Sequence, residues 1–410
     1  MAEVLIVGGG AAGMMSAVFA ARRGLSVTVL EPNGKTGKKL RITGKGRCNV
    51  TNACSEQDFF KAVRSNAKFL RSAVYGFSTA DAMNFFESIG VNLKIERGNR
   101  VFPVSDSANE VAEALEREAL RAGAVIRKER ALELLRENGA VTGVRTDRRL
   151  IPCDAVIICT GGISYPATGS TGDGYKLARS LGHTIVPPRA SLVPLEADDF
   201  CGDMQGLSLR NVTLSLTRNG KLLYNELGEM LFTHFGVSGP LVLSASAYMR
   251  GEASEYRIEL DLKPALEDGK LDERVLRDFG ENLNRDLCNA LDALLPQKMI
   301  PVVIARSGID PHTKVNSITR EQRAALVHLL KHFTIHPTAR RSVDEAIVTA
   351  GGVDVREVDP RTMESKLCAG VYFAGEVLDC DACTGGFNLQ IAWSTAYMAA
   401  SSIPMEERYV

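Results

Sequence analysis

The first 31 residues constrain the fold of this chain more than any other segment. Residues 4–7 are a continuous apolar run, as expected for a strand buried on both faces. A glycine cluster follows, and residues 11–23, rich in Ala and Met, indicate a helix that Gly24 ends. The run SVTVLE, residues 26–31, then indicates a second strand. This order of strand, glycines, helix and strand predicts the βαβ start of an α/β, Rossmann-type domain.

The glycine cluster fits the pattern G-x-G-x-x-G in the context that a dinucleotide site requires. Gly8 permits the tight turn, Gly10 lets the backbone approach a pyrophosphate, and Gly13 lets helix and strand pack closely. Glu31, at the end of the next strand, is placed to accept hydrogen bonds from ribose hydroxyls. An empty βαβ unit is the alternative, but it does not explain all four features together. The residues predicted here to bind a dinucleotide are Gly8, Gly10, Ala11, Ala12, Gly13, Glu31 and Pro32.

The far end of the chain decides between FAD and NAD. Glu376 follows a strand and an Ala-Gly pair, and the pair Gly385-Gly386 opens the last helix. In FAD proteins of the Rossmann type, such an acid takes ribityl hydroxyls. The helix N-terminus faces the pyrimidine edge of the flavin, where its dipole stabilises negative charge. The segment CTGG at 159–162 matches a further cofactor-lining turn. FAD is therefore the predicted cofactor, and the binding residues predicted from these segments are Thr160, Gly161, Gly162, Gly375, Glu376, Gly385, Gly386, Phe387, Asn388 and Leu389.

Length and composition limit the class of protein. A chain of 410 residues predicts two or three domains. Changes in pattern place an FAD-binding domain at 1–188 and 340–410, a β-rich insert at 189–263 and a helical insert at 264–339. The 49 basic and 49 acidic residues balance, which argues against general nucleic-acid or membrane binding. An odd number of scattered cysteines, nine, favours a cytoplasmic location, and no apolar run is long enough to cross a membrane.

A basic stretch at residues 35–52 stands out in this neutral chain. It carries six cations and no acid, namely Lys35, Lys38, Lys39, Arg41, Lys45 and Arg47. We predict that Lys38, Lys39 and Arg47 contact phosphate or the flavin edge. Residues predicted to hydrogen-bond the ring are Cys48, Asn49 and Thr51. Six cations exceed the need of one pyrophosphate. Lys35 and Lys45 are predicted to be exposed charge, and other cations of the stretch could guide an anionic partner such as NAD(P)H, a carboxylated substrate or RNA.

Several long blocks resemble a bacterial family of NAD(P)/FAD-dependent oxidoreductases. They include GKKLRITGKGRCNVTN, GGISYPATGSTGDGY, LFTHFGVSGP and YFAGEVLDCDACTGGFNLQIAWS. The family contains aminoacetone-oxidase-like and bile-acid dehydro-reductase-like flavoproteins. The resemblance implies a discontinuous Rossmann-type FAD-binding domain with an inserted β-barrel-like part and a helical part, and it places the basic stretch beside the flavin. Cys380 and Cys383 form a C-x-x-C, which is interpreted as two incidental thiols rather than a redox or metal pair, and no metal site is predicted.

Three functional hypotheses follow. The first is NAD(P)H-driven reduction of an activated C=C bond in a small or polycyclic substrate. NAD(P)H would dock transiently, because no second G-x-G-x-x-G is present. The second is an oxidase that passes electrons from an amino-ketone-like substrate to O₂. The third, less favoured, is reduction of uridine in ribosomal RNA, and a flavin-binding scaffold without turnover is the bland alternative. The predicted catalytic residues are His234 and Tyr165, although a structural role for His234 explains its pattern equally well.

Overall fold

The computed structural model describes residues 2–405. The helices are α1 (Ala11–Arg22), α2 (Lys38–Ile42), α3 (Glu56–Ala62), α4 (Arg71–Gly76), α5 (Thr79–Ser88), α6 (Ala108–Arg121), α7 (Asp173–Ser180), α8 (Phe200–Asp203), α9 (Pro240–Ser246), α10 (Asp268–Gly280), α11 (Leu287–Ala290), α12 (Ile300–Ser307), α13 (Arg320–Lys331) and α14 (Phe387–Ser402). The strands are β1 (Glu3–Val7), β2 (Ser26–Leu30), β3 (Thr51–Asn52), β4 (Leu93–Glu96), β5 (Arg100–Pro103), β6 (Val125–Arg127), β7 (Ala131–Glu137), β8 (Ala140–Thr146), β9 (Leu150–Pro152), β10 (Ala155–Ile158), β11 (Ile185–Ser191), β12 (Leu195–Ala197), β13 (Ser208–Arg218), β14 (Lys221–Thr233), β15 (Gly236–Ser238), β16 (Tyr256–Asp261), β17 (Phe333–Ile335), β18 (Pro337–Arg340), β19 (Val348–Val353) and β20 (Val371–Phe373).

The chain divides into two compact units. Unit 1 contains the residues up to Ser191 and those from Val343 onwards, and unit 2 is Leu192–Ser342. Unit 1 is therefore discontinuous, and its two parts are brought together by the sheet described next. Within residues 2–405, no helix combines the length and the apolar character that crossing a bilayer requires.

Unit 1 is built on a five-stranded parallel sheet in the order β20-β10-β1-β2-β6. Its central strands β1 and β10 are apolar and buried along almost their whole length, as expected for strands that are covered on both faces. The last strand, β20, comes from the C-terminal part of the chain and pairs with β10. This arrangement confirms the predicted α/β, Rossmann-type fold. All the strands end at one edge of the sheet, which is where ligands bind in such folds.

Two helices of unit 1 are buried on nearly all sides. α1 is rich in Ala and Met, and α14 carries the fully buried Trp393. The indole nitrogen of Trp393 donates to the backbone oxygen of Val50 at 2.9 Å, so the one polar atom of that ring is satisfied. This bond ties α14 to the C-terminal end of the basic stretch. A hairpin of β7 and β8 turns at Asn138 and Gly139, which both have positive φ, as the two central residues of a type I′ turn do.

Unit 2 combines a sheet with helices. Its seven strands run in the order β17-β16-β13-β14-β15-β12-β18 and pair antiparallel. The long hairpin of β13 and β14 turns at Asn219-Gly220, again with positive φ. Helices α10 to α13 follow, and Thr319 caps α13 through a capping box. The segment 264–339 assigned to helices ends in strands β17 and β18, because Phe333-Thr334-Ile335 is β-prone and pairs with β16.

Candidate functional site

The glycine cluster forms a turn that other residues cannot occupy. Gly8 has φ of +102°, and a Cβ added there would lie 2.7 Å from the carbonyl oxygen of Cys159 at the end of β10. A Cβ on Gly13 would lie 1.8 Å from the carbonyl oxygen of Gly8. Both positions therefore require glycine, one for the turn and one for the close packing of α1 on β1. The roles predicted for these two glycines agree with this geometry.

Gly10 is different, because it faces open space. A Cβ added to Gly10 would meet no protein atom within 4 Å, and its φ is −79°. The first hydrogen bond inside α1 runs from Met14 N to Gly10 O at 3.0 Å. In this helix, which is described in full, the amides of Ala11, Ala12 and Gly13 thus have no acceptor within the helix. Free amides at a helix N-terminus beside an unfilled space suit a phosphate group.

Glu31 lies at the end of β2 with its carboxylate turned back toward the glycine turn. Its Oε2 accepts a hydrogen bond from Gly9 N at 2.8 Å, and its Oε1 accepts from Asn33 N at 2.8 Å and Asn33 Nδ2 at 2.7 Å. The side chain is 8% exposed. A carboxylate offers about four acceptor positions, so after these three bonds one position remains for a ribose hydroxyl. Pro32, beside it, is half-buried.

Lys39 and Glu376 form an ion pair that joins segments far apart in sequence. Lys39 Nζ lies 2.8 Å from Glu376 Oε2 and 2.7 Å from Ser164 Oγ. The side chains of Lys39 and Glu376 are 21% and 20% exposed. Glu376 also accepts from Ser164 Oγ at 3.0 Å and from Thr349 N at 2.8 Å. One cation of the basic stretch is therefore placed at the acid that the sequence assigns to the ribityl chain.

The turn after β10 is packed against this pair. Gly161 has φ of +71°, and a Cβ on Gly162 would lie 2.3 Å from Thr349 Oγ1. That hydroxyl accepts hydrogen bonds from the backbone amides of Ile163 and Ser164 at 2.9 and 3.0 Å. Glycine is thus required at Gly162 to let the chain approach β19. Thr160 Oγ1 lies 2.1 Å from where a Cβ on Gly174 would be, so α7 also packs closely here.

The segment before Glu376 lies against the start of α1. Gly375 has φ of +77°, and a Cβ there would be 2.8 Å from the Cβ of Ala12. Its amide donates to Thr395 Oγ1 in α14 at 2.9 Å. The fold therefore brings together residues from both ends of the chain, as the prediction of a site shared by the glycine cluster and the C-terminal segment requires.

The N-terminus of α14 is held by residues at the C-terminal end of the basic stretch. Gly385 and Gly386 have φ of +124° and +94°, and a Cβ on Gly386 would lie 2.3 Å from Thr51 O. Thr51 Oγ1 donates to Gln390 Oε1 at 2.6 Å. The side-chain amide of Asn49 is oriented with its nitrogen toward Thr51 O. Its oxygen accepts a hydrogen bond from Gly386 N at 3.0 Å. Asn49 and Thr51 are therefore occupied in positioning this helix, and their predicted contacts with a flavin ring stay predictions.

The first turn of α14 resembles that of α1. Its first internal hydrogen bond runs from Gln390 N to Gly386 O at 3.0 Å. The amides of Phe387, Asn388 and Leu389 thus have no acceptor inside this helix, which is described in full. The Asn388 side chain accepts from Ala382 N at 2.9 Å and donates to Ala382 O at 2.8 Å, which fixes the loop before the helix. Unit 1 therefore has two helix N-termini, those of α1 and α14, whose positive dipole ends favour negatively charged groups.

The loop inside the basic stretch has a strained backbone. Lys45 and Cys48 have φ of 58° and 59°, and Gly44 and Gly46 are also positive. Non-glycine residues in this region cost free energy and cluster at functional sites. Cys48 is fully buried, and burial raises the pKa of its thiol to about 12. The thiol therefore stays protonated at neutral pH and is not a reactive nucleophile.

Most of the six cations have partners nearby. The guanidinium of Arg47 pairs with Glu96 and Asp106 and lies 4.2 Å from the centre of the Phe102 ring. These contacts give Arg47 a role in the β3-β5-β4 sheet, and its predicted contact with the cofactor stays a prediction. Arg41 binds Glu113 at 3.2 Å.

The other lysines of the basic stretch lie at the surface of the protein. Lys38 donates to Asn33 Oδ1 at 3.0 Å, in an exposed bond. Lys35 and Lys45 are exposed, as predicted.

The two predicted catalytic residues lie in different units. Tyr165, in unit 1, is half-buried and has φ of 53° and ψ of 60°, and its carbonyl accepts from Thr168 N at 2.8 Å. A tyrosine in the left-handed region is a strained feature, consistent with a functional position. His234, in unit 2, lies exposed in the turn between β14 and β15, with its ring against Phe235 at 5.0 Å. Their catalytic roles stay predictions.

Sequence reasoning missed two carboxylates in the segment DCD. Asp379 accepts from Gly351 N at 3.1 Å and Asn66 Nδ2 at 2.9 Å, and burial raises its pKa. Asp381 is fully buried and accepts from Ser191 Oγ at 2.8 Å. Two acids flanking a cysteine in an apolar segment are the signal that could have identified them.

The C-x-x-C of this segment shows no sign of redox activation. Cys380 is buried, and burial raises the pKa of its thiol well above the ordinary value. Cys383 is buried as well, and the two described cysteines are not joined by a disulfide. A protonated, buried thiol is a poor nucleophile and metal ligand. This geometry agrees with the interpretation of two incidental thiols.

The arrangement of unit 1 can be compared with known proteins. Residues 2–402 match the family described as HI0933-like protein Rossmann domain. The chain belongs to this family. This confirms the resemblance drawn from the sequence blocks, and the protein is an FAD-dependent oxidoreductase of the Rossmann type.

Similar proteins of known name span the whole chain. It is 34% identical to the ribosomal RNA dihydrouridine synthase of Haemophilus influenzae, over 98% of each chain. It is 32% identical to the 3-dehydro-bile acid delta(4,6)-reductase of Clostridium scindens, over 97% of this chain and 98% of that protein. Among solved structures, a 3-ketosteroid-delta4-(5alpha)-dehydrogenase from Rhodococcus jostii has a TM-score of 0.54 at 14% identity, covering 97% and 96% of the two chains. That likeness supports the fold.

The residues of unit 1 fit FAD. Gly10 leaves open space next to three amides for a pyrophosphate, and the buried Glu31 carboxylate retains acceptor capacity for a ribose. The Lys39–Glu376 pair offers both a cation and an acceptor. When bound, FAD would supply hydride transfer. Free amides at a helix N-terminus, as at the start of α14, would stabilise negative charge on a bound group.

Proposed function

We propose that this protein uses FAD and NAD(P)H to reduce a C=C bond conjugated with a carbonyl group in a small or polycyclic substrate. The observation that carries the proposal is full-length similarity, at 32% identity, to a 3-dehydro-bile acid delta(4,6)-reductase. The net reaction adds one hydride and one proton across the C=C bond and converts NAD(P)H to NAD(P)⁺.

The residues of unit 1 have defined tasks in this proposal. The amides of Ala11, Ala12 and Gly13 bind the pyrophosphate, and Glu31 orients the adenosine ribose. Lys39 neutralises phosphate charge while it keeps the carboxylate of Glu376 in place for ribityl hydroxyls. Each task is positional, since the hydride chemistry comes from the cofactor.

A proton must also reach the carbon next to the substrate carbonyl. His234 and Tyr165 are the donors that the sequence indicates, because imidazole and phenol both serve as general acids. Asp379 is a third candidate in this proposal, since burial raises its pKa toward the range in which a carboxyl group holds a proton. Substitution of each in turn, with flavin reduction measured separately from substrate turnover, separates proton transfer from cofactor function.

A second candidate substrate is a uracil base of ribosomal RNA. The relatives named ribosomal RNA dihydrouridine synthase, from Haemophilus influenzae at 34% identity and Escherichia coli at 29%, support it. The C5=C6 bond of uracil is conjugated with a carbonyl, so the chemistry is the same. The basic stretch adds little support, because Lys39, Arg41 and Arg47 are paired with carboxylates and present less free charge to a polyanion than their number indicates.

One experiment separates these substrates. The FAD-loaded protein is mixed anaerobically with NADH or NADPH, and the loss of the visible flavin absorption is followed. Reoxidation is then measured with a polycyclic enone, with ribosomal RNA lacking dihydrouridine, and with O₂. Faster reoxidation by the enone than by O₂ supports the first proposal, and formation of dihydrouridine supports the second candidate. An absence of reduction by either nicotinamide, with reduction by an amino-ketone, would replace both with the oxidase hypothesis.

A further inference from the structure

Two segments of unit 2, the start of α11 and the chain at residues 311–314, are joined by backbone hydrogen bonds. Asp286 and Lys314 form an antiparallel bridge. Next to it, Leu287 N donates to Thr313 O at 3.0 Å and Cys288 N donates to Pro311 O at 3.1 Å. These bonds hold residues 286–288 against residues 311–314 with a fixed register. The side chains of the two segments therefore have defined positions relative to each other.

Three of those side chains carry groups that bind metal ions. Asp286, Cys288 and His312 each offer one ligand atom, and these atoms all lie within 4.8 Å of one another. Asp286 Oδ2 and His312 Nδ1 are 3.6 Å apart. Metal–ligand bonds of about 2.0–2.3 Å place ligand atoms of one tetrahedral ion about 3.3–3.8 Å from each other. The Asp286–His312 pair already lies at that spacing, and the Cys288 sulfur lies within 4.8 Å of both atoms.

The surrounding groups orient these ligands. Lys314 Nζ binds Asp286 Oδ1 at 2.7 Å, which leaves Oδ2 directed at His312. Asp310 Oδ1 accepts from His312 N at 2.7 Å and shapes the turn that carries the imidazole. Lys314 also brings a positive charge that opposes a cation, but it holds the carboxylate in a monodentate orientation, as outer partners of metal ligands do.

We propose that Asp286, Cys288 and His312 bind one zinc ion, with water in the fourth position. A set of thiolate, imidazole and carboxylate suits zinc among common divalent ions, and the partial exposure of the site leaves room for water. The ion would link the start of α11 to residues 311–314 and so stabilise unit 2. The sequence gives no C-x-x-C or H-x-H spacing at these residues, which is why no metal site is predicted from it.

The test uses the full chain loaded with FAD. The protein is freed of metal with a chelator and titrated with Co²⁺, whose bond to a thiolate gives a charge-transfer absorption, and then with Zn²⁺ against a metal-binding dye. We expect one ion per chain. Cys288→Ser should abolish the charge-transfer band, and His312→Ala should weaken Zn²⁺ binding by more than about 100-fold, because even outer partners of metal ligands contribute about 10–100-fold.

Matched controls keep the result interpretable. Cys54→Ser removes another half-buried thiol, in unit 1, and His328→Ala removes another imidazole, in α13. Both should bind Zn²⁺ and Co²⁺ as the unchanged protein does, with the same far-ultraviolet circular dichroism. The proposal is overturned if the unchanged protein shows no thiolate–cobalt band, or if Cys288→Ser and His312→Ala bind zinc as tightly as their controls.

Discussion

Gly10→Ala should weaken FAD binding while it leaves the free energy of unfolding nearly unchanged. Gly10 is the one glycine of the G-x-G-x-x-G pattern whose added Cβ would meet no protein atom within 4 Å, and its extended backbone, with φ of −79° and ψ of −164°, suits any L residue. The fold therefore tolerates alanine at this position. In contrast, a pyrophosphate bound at the start of α1 would occupy the space that the new methyl group fills.

The two effects differ in size. In the protein without FAD, alanine gains about 0.4–1 kcal/mol by restricting the unfolded chain, and this is offset by the loss of a residue preferred at a helix N-cap. The free energy of unfolding should thus change by about 1 kcal/mol or less. Overpacking against the cofactor should cost about 1–3 kcal/mol. At about 1.4 kcal/mol per factor of ten, this weakens FAD binding by about 5- to 140-fold.

The assay measures both quantities on one preparation. FAD affinity of the cofactor-free protein is obtained by calorimetric titration, and stability by urea denaturation. Gly280→Ala is the control, because Gly280 is exposed in α10 of unit 2 and its added Cβ also meets nothing within 4 Å. Equal FAD affinity for Gly10→Ala and Gly280→Ala would refute the placement of the pyrophosphate at α1.

Three further predictions concern unit 1. Lys39→Met should weaken FAD binding by about 10- to 100-fold, since hydrogen bonds to charged groups contribute about 1.5–3 kcal/mol, whereas Lys35→Met at the exposed end of the stretch should leave titrated affinity unchanged. Gly13→Ala should lower the free energy of unfolding without FAD by at least about 1–3 kcal/mol in urea, because its Cβ would lie 1.8 Å from a carbonyl oxygen; normal stability would contradict this packing. Arg149 donates to the buried Glu129 and lowers its pKa, so this pair stabilises the protein fully above about pH 4.3, the pKa of an unpaired Glu, and loses that effect as the pH falls through the lowered pKa. Arg149→Met should therefore lower Tm at pH 7 by more than at pH 3, and an equal loss at both would count against the linkage.

The parts of the fold set by local pattern could be predicted from the sequence. The apolar strands, the glycine turn and Glu31 lie within 31 residues, so one βαβ unit contains all the information needed. The turns of the two hairpins, Asn138-Gly139 and Asn219-Gly220, are also set locally, because each depends on two adjacent residues that accept positive φ. The strands β17 and β18, in contrast, are short and follow four helices, and they become strands only through pairing within the sheet of unit 2.

The basic stretch shows where local reasoning is insufficient. Its charges suggest anion binding, but Arg47 is neutralised by Glu96 and Asp106, which lie 49 and 59 residues away in sequence. Pairing over such a distance leaves no periodic signal. The same holds for Lys39 and Glu376, which approach each other only because β20 joins the parallel sheet beside β10.

Binding of FAD compared with FMN tests the central claim most directly. If unit 1 holds a dinucleotide through Glu31 and the start of α1, cofactor-free protein should bind one FAD per chain in a calorimetric titration. FMN should bind at least about tenfold more weakly, because the hydrogen bonds to the Glu31 carboxylate alone are worth about 1.5–3 kcal/mol. Equal affinity for FMN and FAD, or folded protein that takes up no flavin, would contradict this account.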